Sequence, residues 1–136
     1  MTLKRILYDY SKRSKKKICL KLGLKEVPFE DYYFYEYSSP IFNENECNNA
    51  IMILEKYPTK LTKDRIYFYD KLIKGNLLGW TLTCQQKYNA YVDKEGIRYN
   101  TKFNKKTFEA EVKKIILEIK KTALNEKLND IEKDFK

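Results

Sequence analysis

The chain contains no histidine. Without an imidazole there is no Ser-His-Asp or Cys-His nucleophile, no histidine general base and no histidine metal ligand. Cysteine is scarce as well. Cys19, Cys47 and Cys84 are widely separated, form no Cys-x-x-Cys pair and cannot complete a four-ligand zinc site. An odd, scattered set of this kind reads as reduced, buried thiols in a cytosol. The glycines Gly23, Gly75, Gly79 and Gly96 stand alone, so there is no phosphate-cradling glycine loop and no cofactor fingerprint. Long apolar runs are also missing. The longest, Ala50 to Leu54, falls far short of the ~20 residues of a membrane span, and the lysine-rich N-terminus lacks the apolar core of a signal peptide. These absences predict a cytoplasmic protein with no metal, no cofactor, no membrane association and no enzymatic activity.

What is present is basic and aromatic. Of 136 residues, 43% are hydrophobic, and 28 Lys and Arg outweigh 19 Asp and Glu for a net charge of +9. That length predicts a single domain over 1–136 able to bury a core without disulfide or metal support. Lys, Asn, Ile and Tyr supply 58 of the residues, a bias toward A/T-rich codons that suggests a low-GC genome and explains part of the lysine excess. The charge is nonetheless unevenly placed. Residues 1–25 carry a net +8, whereas residues 26–50 carry −6 and no base at all. A basic segment is therefore followed by an acidic, aromatic one.

Leu3, Ile6, Leu7 and Tyr10 follow helical spacing and predict a basic amphipathic helix over 2–17. From Ile18 the apolar period becomes two (Ile18, Leu20, Leu22, Leu24), which predicts a strand. Tyr32 to Tyr37 is a second strand by aromatic propensity, ended by Ser38-Ser39-Pro40. Asn43 and Glu46 resemble a capping box ahead of a helical stripe at Cys47, Ala50, Ile51 and Leu54 that Pro58 ends. Leu61 to Lys74 fits a third helix, although Ile66 to Tyr69 has the composition of a strand. The runs at Trp80 to Cys84, Tyr88 to Val92 and Ile97 to Tyr99, with a turn at Asp93 to Gly96, predict a three-strand meander. Asn104 can cap a long final helix whose core face is Phe108, Val112, Ile115, Ile116 and Ile119, with an extension over 120–136 that protrudes. The expected fold class is α+β: a small antiparallel sheet including the C-terminal meander, packed with about three to four helices.

Three surfaces carry the functional reading. The basic cluster Lys4, Arg5, Lys12, Arg13, Lys15, Lys16, Lys17 and Lys21 has the density that phosphate neutralisation needs, because each cation that meets a phosphate releases condensed counterions. With only four arginines, Arg5, Arg13, Arg65 and Arg98, little capacity for guanine readout exists. The plainer reading of the cluster is a solvated helix end. The tract Tyr32, Tyr33, Tyr35 and Tyr37, with Glu36 among them, suits a protein interface, since carboxylates repel a phosphate backbone. Burial of these rings under the chain's own helices is the alternative. Leu124, Leu128, Ile131 and Phe135, continuing from Leu117, form a short heptad-like seam that either folds back over the sheet or serves self-association as a homodimer, with repelling charge on its flanks at Lys120, Lys121 and Lys127. A nuclease core of Asp70, Gln85 and Lys87 matches loosely, and such a match is cheap in a lysine-rich chain.

The resulting profile resembles that of accessory proteins of phages and mobile elements, anti-CRISPR inhibitors among them. The resemblance implies a non-enzymatic viral protein that inhibits or modulates a nucleic-acid-handling machine, with a nucleic acid or ribonucleoprotein complex and a host protein as partners. A direct DNA- or RNA-binding regulator, dimeric through its C-terminal helix, is the second reading, and a small metal-dependent nuclease a remote third.

Overall fold

A computed structural model describes residues 3–42, 48–56, 65–75, 79–84, 88–89 and 104–135. Helix α1 (Leu3–Lys21) leads into strands β1 (Lys25–Phe29), β2 (Tyr32–Glu36), β3 (Ala50–Glu55), β4 (Arg65–Gly75), β5 (Gly79–Cys84) and β6 (Tyr88–Asn89), and helix α2 (Lys105–Asp134) closes the chain. The fold class is α+β, but the described residues contain two helices rather than three to four.

The strands pair in the order β1-β2-β3-β4-β5, each antiparallel to the next. Strand β6 pairs with β4, through Ile66↔Tyr88 and Arg65↔Asn89, along the edge that β5 occupies further on through Leu72↔Leu82 and Lys74↔Trp80. The expected meander of three strands after Trp80 is therefore replaced by a longer one that starts at Lys25, and residues 90–100, which include the predicted last strand and its turn, lie outside the described residues. Pro28 sits in edge strand β1, where its missing N–H costs the ladder nothing. A bulge in β4 between Tyr69 and Lys71 bends the β4–β5 hairpin, and Asn48, just ahead of β3, accepts from the Leu82 N–H at 2.9 Å through its carbonyl.

Three sequence expectations fail for identifiable reasons. The alternation at Ile18 to Leu24 is not a strand. Helix α1 runs on to Lys21 and stops in a left-handed Gly23 (φ 92°), with Gly23 N–H donating to Leu20 O at 3.2 Å and Leu24 N–H to Cys19 O at 3.0 Å. This is the paired bonding of a Schellman stop, with Cys19 and Leu24 both in the core, while Leu20 is left 43% exposed. The helix expected before Pro58 is strand β3. Its continuous apolar run Ala50 to Leu54 is buried throughout, at the centre of the sheet, and the helical spacing within it is incidental. Its proposed cap, Asn43 and Glu46, lies outside the described residues. The helix expected over Leu61 to Lys74 is β4, where Ile66, Tyr67, Phe68 and Tyr69 favour the pleated ladder.

Both helices lie over one face of the sheet. Register sets Tyr35, Met52 and Phe68 side by side, and they share a core with Cys19 and Leu24 from the α1 end and Phe108, Val112, Ile115 and Ile119 of α2. The Phe68 and Phe108 rings lie 5.7 Å apart. Helix α2 starts as expected: the Asn104 side chain accepts from Thr107 N–H at 3.1 Å, and all five predicted core residues are buried.

Candidate functional site

The basic cluster divides when α1 packs. Successive turns put Ser11, Lys15 and Cys19 on the inner face, while Arg13 and Lys17 point to solvent. Lys15 is 1% exposed, donates to Ser11 Oγ at 3.0 Å, and has its ammonium pushed down to about 8 by burial. It is removed from any phosphate. Lys12 reaches across to the Glu55 carbonyl oxygen at 3.4 Å, Lys16 pairs with Glu26 at 3.5 Å and lies 5.7 Å from the Tyr33 ring centre, and Lys21 pairs with Glu109 at 3.1 Å. The side chains of Lys4 and Arg5 lie outside the description.

What stays outward is a smaller patch with an unforeseen member. Lys105, in the first turn of α2, lies 5.1 Å over the Tyr10 ring of α1. Hydrogen bonds from Lys105 and Ser14, followed by the charges of Lys105 and Lys17, hold the Tyr10 phenol below its ordinary value. Arg13, Lys17 and Lys105 thus form one basic surface spanning both helices. The first turn of α2 holds no acid, so its positive helix end adds to the same field. No local pattern connects residues 10 and 105, and sequence reading missed the pair for that reason. The apolar stripe expected of α1 is likewise not all inward: Ile6 and Tyr10 are each 48% exposed.

The aromatic tract resolves by face. Tyr33, Tyr35 and Tyr37 turn toward the helices, Tyr35 being fully buried and the other two packed on the core. Lys56 joins Lys16 over Tyr33, at 5.3 Å. Burial first, then the neighbouring Glu26, Cys19 and Tyr33, drives the Tyr35 phenol upward. Tyr35 is therefore core and not interface. The other face carries Tyr32 and Phe34 in edge-to-face contact at 6.3 Å, with Phe29, 60% exposed, at the same distance from Phe34. Glu36 is half-buried; desolvation raises its carboxyl and Lys25, paired across the strand, opposes that.

Asp70 lies in strand β4 rather than in a helix, and Gln85 and Lys87 are outside the described residues, as is Tyr99. Among the described residues no group of three Cys, Asp or Glu is placed to hold a metal, and no helix is long and apolar enough to cross a membrane. A groove of about 660 Å³ opens where α2 leaves the sheet, lined by Pro40, Ile41, Trp80 and Leu124. Its floor is fastened by Trp80 Nε1 donating to Glu126 at 3.1 Å. No family profile, curated protein or solved structure matches the chain.

Proposed function

We propose that this protein is a non-enzymatic binder that sets the outer face of α1 against the phosphates of a nucleic-acid-containing complex and so modulates a nucleic-acid-handling machine, as inhibitors carried by phages and mobile elements do. One observation carries the reading: Arg13 and Lys17 remain outward on α1, one and two turns from Tyr10, and Lys105 is brought over that ring from 95 residues further along the chain. Three cations at one surface, next to a helix end of positive sign, supply a non-specific electrostatic footprint. Tyr10 adds a ring on which a base can stack. The sheet face away from the helices, where Phe29 is exposed beside the half-buried Tyr32 and Phe34, is the surface offered to a protein partner.

Binding to duplex and single-stranded nucleic acid, followed by fluorescence anisotropy across a salt series, tests the proposal. Arg13→Ala/Lys17→Ala/Lys105→Ala should make the plot of log affinity against log salt shallower by up to about 3 units for duplex, near 0.9 for each phosphate contact. Lys15→Met should leave that slope unaltered. An identical slope in the triple variant refutes the reading.

A further inference from the structure

Helix α2 has two apolar faces on opposite sides, and among the described residues the sheet covers only one. Phe108, Val112, Ile115 and Ile119 are 2% exposed or less, whereas Leu117, Leu124, Leu128, Ile131 and Phe135 are 44–85% exposed. At 100° per residue the second set forms a single line diametrically opposite the first. Five large apolar side chains in one line facing water are a surface that a second helix covers.

We propose that a second copy of this chain docks on that line, the two α2 helices running parallel and in register over 113–135 as a short two-stranded coiled coil. The spacing places Leu117, Leu124 and Ile131 at heptad position d, and Lys121, Leu128 and Phe135 at position a. The flanks then decide the orientation. Lys113, Lys120 and Lys127 fall at g, and Glu118, Asn125 and Glu132 at e; every one of them is exposed. In a parallel pair each g residue faces the next e residue of the other helix, so Lys113 meets Glu118 of the second copy and Lys127 meets Glu132 of the second copy, each contact made twice by symmetry. Reversing one helix sets Glu118 against Glu132 and Lys127 against Lys127, relieved only by Lys120 against Asp134. Lys121 at position a fixes the number of strands, because its stem can lie along the seam with the ammonium at the edge of a dimer, whereas a trimer buries it. Leu124 and Lys127 also line the groove with Pro40, Ile41 and Trp80, whereas Leu128, Ile131 and Phe135 lie outside its lining. None of this depends on nucleic-acid binding.

Sedimentation equilibrium of the full chain without nucleic acid, with circular dichroism to verify folding, tests the proposal. The wild type should be a reversible dimer at tens of micromolar. Lys127→Glu should weaken the dimer by about tenfold, turning two attractions into repulsions, and Lys127→Glu/Glu132→Lys should restore it to within about threefold. Leu128→Asp should be monomeric and folded. A monomeric wild type, a trimer or higher species, or a double variant no tighter than Lys127→Glu overturns the proposal.

Discussion

Lys15 is the residue whose position contradicts its composition. It sits in the densest run of positive charge in the chain, yet the turn of α1 carries it to the inner face of the helix, in line with Ser11 and Cys19. The unfolded chain holds its proton up to an ordinary 10.5, the folded chain only up to about 8. Between those values the unfolded state binds more protons, so this group makes stability rise with pH across the window and leaves it level below. At 1.36 kcal/mol per unit the interval amounts to about 3 kcal/mol. Lys15→Met keeps the stem and removes the charge. It should exceed the wild type in stability at neutral pH by up to about 3 kcal/mol, with the gap closing as the pH approaches about 10.5 in urea titrations. A gap that stays constant with pH would show that the ammonium is not desolvated. Tyr35 is a second internal cost: its buried hydroxyl has no hydrogen-bond partner among the described residues, and the ring's packing against Met52 and Cys19 must outweigh that.

At the scale of the element, α2 is the clearest case of one helix with two duties. Its 30 residues span about 45 Å, and only the first half has its inner face in the core. Ile115→Ala, 2% exposed in the wild type, should lower stability by about 2–5 kcal/mol through lost transfer energy and the cavity left behind. Leu117→Ala, two residues on and 51% exposed, should change the stability of the monomer by less than about 0.5 kcal/mol. Chemical denaturation of both variants below the association range checks the contrast, and equal losses would mean that α2 is covered on both sides. The core face of α2 was legible because Asn104 marks the start and the 3.6-residue period persists for about three turns, from Phe108 to Ile119. Strands β3 and β4 were not. Each is apolar or aromatic over consecutive positions, and a run of that kind fits a helix face and a buried central strand equally well until its ladder partners are known.

Across the whole molecule, part of the charge asymmetry of the first 50 residues is folded into an internal contact. The basic helix lies over the acidic, aromatic strands, Lys16 meets Glu26, and Lys12 reaches the end of β3. Pairs of this kind near a surface contribute little stability, so their consequence is chiefly to subtract cations from the outward patch. At the other end, residues 128–135 are exposed throughout and lie beyond Glu126, the last side chain that α2 bonds to Trp80. A chain ending at Lys127 should therefore keep the urea midpoint of the monomer while losing concentration-dependent sedimentation. A fall in that midpoint would mean that the extension packs on its own body.

Composition and local pattern were enough to establish an α+β chain, strands at Tyr32 to Glu36 and Gly79 to Cys84, the capped final helix with its five core residues, and the want of histidine chemistry. These are properties of neighbouring residues, set by propensity, capping and period. Only the tertiary structure decided that Ala50 to Glu55 and Arg65 to Gly75 are central strands, that Lys15 and Tyr35 face inward, and that Lys105 stands over Tyr10. Each of those outcomes depends on a partner distant in sequence, through a ladder register or a helix crossing, and a local pattern carries no information about a partner it does not contain.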